Sequence, residues 1–248
     1  NLMIFLGLIS LLQIWFLPGF LFIYFFKRLR FIDKIILAFP LSIILNYIIV
    51  FVFLLFDFYE TKYFLCLIFF EILLLIKILK IRISTLFKKF PIKINTKIEL
   101  NLINIFLVFL FITFVFLSIN SIGEITHPGD PLVMWDNWAK QFATNQFPKF
   151  TLDYPQAYPI LMSITYITIG NIDVEFFSRS VCLIYPLLVW LIFLRAMNIL
   201  PKFKYEIKLT LLFTSVLFLN QFRHALYIGF VDPILVFTTV SMGYIFLI

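Results

Sequence analysis

The sequence predicts an all-α fold: a polytopic bundle of transmembrane helices with an external loop that carries juxtamembrane helices. Three observations lead there. Hydrophobic residues make up 63% of the 248 and charged residues only 13%, where a soluble domain carries about 25% charged residues. Apolar runs of spanning length recur along the chain, and the mean hydropathy is +1.06. Three quarters of the 20 basic residues fall into three segments between those runs, the pattern left when Lys and Arg are retained on the cytoplasmic side. Water cannot solvate a surface so poor in charge, so the lipid bilayer is the first expected partner.

A helix needs about 20 apolar residues to cross the hydrocarbon core. The runs that qualify are Leu2–Phe26, Ile35–Phe56, Tyr63–Leu79, Leu100–Ile119, Ser180–Leu194, Leu209–Phe222 and Pro233–Ile248, the shorter ones drawing on flanking residues. Lipid offers no partner for backbone N–H and C=O groups, so each run is expected to be helical. The first is too long for the core of a cleavable signal and has no basic stretch ahead of it. The basic segments are Lys27–Lys34, Lys77–Lys97 and Arg195–Lys208. Setting all three in the cytoplasm gives seven spans and an external N-terminus. Pro159–Gly170 then cannot cross. Its dozen residues, at about 1.5 Å of rise each, are also too short, so it is expected to lie in the interface or re-enter from outside. The chain thus divides into N-terminal spans (1–119), an external loop (120–179) and further spans (180–248). It begins at Asn1 and stops within an apolar stretch, which reads as a fragment truncated at its C-terminus.

The formal net charge of +7 would suit nucleic acid, but its confinement to those segments fits membrane topology, and nucleic acid is not expected as a partner. Cys66 and Cys182 lie in apolar runs with neither metal-type spacing nor a disulfide framework. His127 and His224 belong to no metal motif. No cofactor is identified: a divalent metal is compatible with the chain, but no ligand motif calls for one.

The segment from Asn120 to Arg179 brings Gly, Pro, Asp, Asn and Trp together after a hundred residues of plain apolar spans. Trp135, Trp138 and Phe142 fall at helical spacing, with Asp136, Lys140 and Gln141 off that face. That pattern describes an amphipathic helix on the membrane surface, where Trp is also at home as a simple anchor. Asp130 and Asp136 flank its start. A carboxylate at the aqueous rim of an apolar body can keep its charge while partly desolvated, as a general base requires. Composition alone favours reading the same two acids as solvated loop residues or helix N-caps, and Asp130-Pro131 fits a cap followed by Pro at the first helical position. Arg223 and His224 close one span and Asp232 opens the next. A cation there can hold a lipid phosphate or simply snorkel to the interface. Glu71 sits mid-span, where an acid costs about 2.5–3.5 kcal/mol to insert. It is expected to face the bundle interior, paired with Gln13 or Asn46 or protonated.

Asp130, Trp135, Trp138-Ala139-Lys140, Asp153-Tyr154-Pro155 and Tyr158-Pro159, taken in order, resemble the first external loop of GT-C glycosyltransferases, especially the protein O-mannosyltransferase-like members. The apolar run ending at Gly170, the Arg179 that opens the next span, and the segment from Ala225 to Pro233 with Gly229 and Asp232 are similar to the family's later motifs. The likeness covers about half the chain, from Gly123 onward. It departs from the family in having three extra spans ahead of the loop and in lacking the usual Asp-Glu pair. What the resemblance implies is sugar transfer from a polyprenyl-phosphate-linked donor to an acceptor hydroxyl at the external face of a bacterial inner membrane. Asp130 or Asp136 would act as base. Lys140, Arg179, Arg223 or His224 would hold the donor phosphate. Trp135, Trp138, Asp153, Tyr154, Tyr158 and Asp232 would contact substrate. The alternative is a transporter, flippase or lipid-binding scaffold of envelope assembly without bond chemistry, which should carry its polar residues along the spans.

Overall fold

The computed structural model describes residues 2–26, 28–87, 102–120, 131–149, 156–221 and 232–248. It is all-helical, with no strand among the described residues. In chain order the helices are α1 (Leu2–Trp15), α2 (Leu17–Tyr24), α3 (Phe31–Leu55), α4 (Thr61–Phe87) and α5 (Leu102–Asn120). A π-helical turn (Pro131–Asp136) leads into α6 (Asn137–Ala143), followed by α7 (Ala157–Ile169) and α8 (Phe176–Arg179). Then come α9 (Tyr185–Ile199), a 3-10 turn (Pro201–Phe203), α10 (Lys204–Gln221) and α11 (Asp232–Ile245).

The first apolar run is two helices rather than one. Pro18 has no N–H, and its ring would clash with the carbonyl of Ile14 in a continuous helix. The chain therefore turns at Phe16, and α1 and α2 meet at 43°. Beyond the bend, α2 is seated closely on α3. Gly19 N donates to Ser42 Oγ at 2.9 Å, and a Cβ on Gly19 would stand 1.9 Å from the backbone oxygen of Ala38. Gly19→Ala must push two backbones apart, and overpacking of this kind costs about 1–3 kcal/mol. Thermal denaturation in detergent should show the loss, and an unchanged midpoint would mean the seam is loose. At its other end α1 makes a second close approach, with the Phe177 ring against Gly7.

Helix α3 is the ruler of the molecule. Its 25 residues, at about 1.5 Å each, run about 37 Å. At its N-terminus Asp33 accepts two hydrogen bonds from Arg195 near the end of α9, at 2.7 and 3.1 Å. Tyr244, near the end of α11, donates to the same carboxylate at 2.7 Å. Lys34 caps the last carbonyl of α2, Tyr24 O, at 2.7 Å, as a cation does at a helix C-terminus. Just past the other end of α3, Asp57 accepts from Asn145 after α6 (2.8 Å) and Tyr59 pairs with Ser163 of α7 (2.8 Å). Phe237 of α11 stacks on Tyr185, the first residue of α9. Helices α9 and α11 therefore run parallel to each other and antiparallel to α3. Asp232, which opens α11, lies toward the α7 end of the bundle.

Helix α7 differs from the surface-lying alternative drawn from the sequence. Every residue from Tyr158 to Thr168 is buried, because α1, α3, α4 and α6 enclose it. An interfacial helix would leave one face open, and this one has none. Gly170 ends it at φ 74°, a left-handed C-cap that glycine adopts without strain. The Trp135, Trp138 and Phe142 stripe is likewise turned inward, at 6%, 6% and 2% exposure. Its apolar face meets α7 and the core instead of lipid, so α6 is not a surface anchor. Helix α9 starts at Tyr185, later than Ser180, with Pro186 in its first turn.

Among the described residues, α3 alone is long and apolar enough to cross a membrane by itself, and α1 with α2 qualifies as a bent pair. The apolar stretches of α5, α9 and α11 are shorter. Glu71 is buried and faces the interior, close enough to Gln13 for the two to interact. Gln13 in turn donates to Asn46 at 3.2 Å.

Candidate functional site

The site grows from the turn into α6. Burial of Trp135 and Trp138 against α7 fixes the azimuth of α6, and Asp136, off that face, comes to rest over Tyr166. The Tyr166 hydroxyl donates to Asp136 Oδ1 and exchanges a hydrogen bond with Ser178 Oγ at 2.8 Å. One turn along α6, Lys140 Nζ lies 2.8 Å from Asp136 Oδ2. The same ammonium reaches Glu175 at 2.5 Å, and Glu175 also pairs with Arg179, one turn later on α8. The result is one polar chain, Ser178–Tyr166–Asp136–Lys140–Glu175–Arg179, that ties α6, α7 and α8 together. Two carboxylates balance two cations.

Exposure grades along this chain. The Asp136 side chain keeps 10% of its surface, whereas Lys140 and Glu175 keep 27% and 26%. A ligand therefore meets Lys140 and Glu175 first and Asp136 only behind them. Burial alone would raise the Glu175 carboxyl, but the hydrogen bond and charge of Lys140, with Arg179, hold it below its ordinary value. Burial would lower the Lys140 ammonium, and its bonds to Asp136 and Glu175 more than offset this and raise it. Burial, followed by the Asp136 charge, pushes the Tyr166 hydroxyl far up, so it remains a donor.

A pH dependence of stability follows. The Glu175 contribution is fully present above its ordinary 4.5 and is lost as pH falls below that, through the depressed folded value. The Lys140 contribution is fully present below 10.5 and is lost as pH rises above that. Thermal midpoints measured across pH should fall on both sides, and Glu175→Gln should remove part of the acid limb. An acid limb identical in wild type and variant would show that the pair does not stabilise the fold.

Of the residues the sequence pointed to, the structure gathers Asp136, Lys140 and Arg179 at this cluster. Trp135, Trp138 and Tyr158 lie beneath it as packed core. The two indoles meet edge-on at 5.4 Å, with Tyr158 6.5 Å from Trp135. They present no open ring face for a sugar to stack on. Asp130, Asp153, Tyr154, Arg223 and His224 lie outside the described residues. Compared with protein-family models, curated proteins and solved structures, the chain matches none. Its site is therefore read from geometry alone.

Three partners escaped the sequence reading. Glu175 was legible as an acid four residues before Arg179. Tyr166 and Ser178 carried no signal beyond being polar groups in or near apolar runs. At the same end of the bundle, a groove of about 510 Å³ opens beside Tyr59, Thr61, Lys62, Thr144 and Asn145. Its size falls within the about 300–1,000 Å³ usual for small-molecule sites. Asn145 holds a left-handed φ of 60° there, and its buried Oδ1 has no protein partner. No group of three or more metal-ligating side chains occurs among the described residues.

Proposed function

We propose that the chain is a polytopic integral membrane protein and a membrane glycosyltransferase of the GT-C kind, using a polyprenyl-phosphate-linked sugar at the Asp136 end of the bundle. The observation that carries this reading is the convergence of Asp136 and Lys140, one turn apart, with Arg179, which lies 39 residues beyond Lys140 and is joined to it through Glu175: a base and two phosphate-binding cations. Membrane insertion is supported by the outward face of α5, where Ile105, Phe106, Val108, Phe109, Ile112 and Phe116 are exposed. Soluble monomers rarely expose contiguous apolar surface beyond a few hundred Å².

At rest Lys140 occupies both Asp136 and Glu175. A donor phosphate competes for Lys140 and Arg179, since both reach it from the open rim, and charge-assisted bonds to phosphate are strong. Drawing Lys140 away frees Asp136 Oδ2 while Tyr166 still holds Oδ1. Asp136 then takes the proton of an acceptor hydroxyl as its oxygen bonds to the anomeric carbon. The carbon–oxygen bond to phosphate breaks, and the lipid phosphate leaves with the electron pair, neutralised by Lys140 and Arg179. The groove at Thr61 and Asn145 is the space for the sugar or acceptor. The test is release of polyprenyl phosphate by the full-length protein in liposomes given a panel of polyprenyl-phosphate sugars. No release with any acceptor fraction would sink the reading.

One observation favours transport without bond chemistry. Gln13, Asn46 and Glu71 form a polar cluster inside the bundle, and Gln13 Oε1 and Glu71 Oε2 are buried without a partner. Buried acids of this kind mark transport paths. On that reading Glu71→Gln abolishes uptake of a labelled lipid-linked sugar. On the enzyme reading it leaves transfer unchanged.

A further inference from the structure

At the opposite end of α3 from Asp136, a cavity of about 250 Å³ opens between the α2–α3 turn and the last turn of α9. Its polar wall is made by Arg28, Arg30, Arg195, Asn198 and Asp33. The side-chain charges do not cancel, for three guanidinium groups face one carboxylate. That carboxylate is already engaged, since Arg195 and Tyr244 bond to both its oxygens. Arg28 and Arg30 are exposed and have no ion-pair partner among the described residues. The positive end of the α3 dipole points to the same place, because Arg30 is the residue before its first turn.

We propose that this cavity binds a phosphate-bearing anion, held by Arg28 and Arg30 against the Arg195 that Asp33 fixes in place. A guanidinium has five donors in a rigid fork suited to phosphate oxygens, and Asp33 takes only two of those on Arg195. Asn198 adds an amide. The volume lies below the about 300–1,000 Å³ typical of drug-sized ligands, which selects a headgroup over a nucleotide. Leu29, Ile199, Leu247 and Ile248 complete the wall, so an ester chain leaving the phosphate would run onto apolar surface. The phosphate can come from an anionic phospholipid or from solution. This site is separate from the sugar-transfer reading and does not rest on it.

The full-length protein in phosphatidylcholine nanodiscs is titrated with phosphatidylglycerol or with inorganic phosphate alone, and binding is read by native mass spectrometry and thermal midpoint. Saturable binding is expected with at least one of the two. The apparent Kd should rise at least tenfold in Arg28→Gln/Arg30→Gln and stay within twofold in Lys202→Gln/Lys204→Gln, which removes equal charge nearby. Saturation by phosphatidylglycerol alone identifies the lipid headgroup as the ligand, and saturation by phosphate alone identifies a soluble anion. Both results uphold the site. Equal weakening in the two double variants would reduce the effect to diffuse surface charge, and absence of saturable binding of either probe would overturn the proposal outright. Arg28 and Arg30 are exposed, and Arg30 adds its charge to the field on Asp33, so the unliganded midpoint of their variant should fall only slightly below wild type.

Discussion

On the proposed sugar-transfer reading, Asp136→Asn in the full-length protein should slow turnover by about 10²–10⁴-fold, the usual worth of a positioned general base, while the protein stays folded. Asn keeps one oxygen to accept from Tyr166, while its NH2 replaces the oxygen that faced Lys140, which still holds Glu175, so the Tyr166 link between α6 and α7 survives. What disappears is the ability to take a proton. Because Asp136 sits behind Lys140, donor affinity should change far less than turnover. Arg179→Gln should show the reverse bias, weakening donor binding first. Initial rates and donor titrations on liposome-reconstituted protein separate the two. Full activity in a folded Asp136→Asn protein would remove this carboxylate from the chemistry and leave the cluster as a structural clasp.

The largest loss of stability is expected at the other end of α3. The Asp33 side chain is 5% exposed and that of Arg195 10%, so removing one partner leaves the other largely covered charge without its closest counter-ion. Arg195→Met should cost about 3–5 kcal/mol, seen as a lower unfolding midpoint in detergent. The double variant Asp33→Leu/Arg195→Met should recover most of that, because replacing a buried pair by apolar residues is often near neutral. The four proteins form a double-mutant cycle whose coupling measures the pair directly. A cost under about 1 kcal/mol for the single variant would place the pair in water, where exposed ion pairs are weak.

The helices were largely legible in the sequence because apolar runs and the basic segments between them are local signals. Helices α3, α5, α10 and α11 fall where those runs do. Pro18 was visible too, but whether a proline bends a span depends on the neighbours that re-satisfy the backbone, which no single run reveals. The Trp135, Trp138 and Phe142 stripe identified a helix and its apolar face. It could not say whether lipid or protein would cover that face, since both are equally apolar. Pro159–Gly170 was hidden for a related reason: a helix apolar all round has no periodicity to distinguish burial within protein from burial in a membrane.

The site was half legible. The spacing of Asp136 and Lys140, and of Glu175 and Arg179, is four residues in each case, so each pair is readable on a helix. Their joining by Lys140 across 35 residues depends on how α6 and α8 pack, and so does the placement of Tyr166. Asp33 and Arg195 lie 162 residues apart and were read only as parts of basic, cytoplasm-facing segments.

The bend at Phe16 makes the first apolar run a lever with a fixed fulcrum. The α2 arm is bolted to α3 through Gly19 and Ser42, while the α1 arm bears on the Phe177 ring at Gly7. Ser178 and Arg179 are the next two residues along α8. Any rocking of α1 is therefore delivered to the ionic chain as a displacement of its Arg179 end, so a sideways push on α1 acts on the pairing of Glu175.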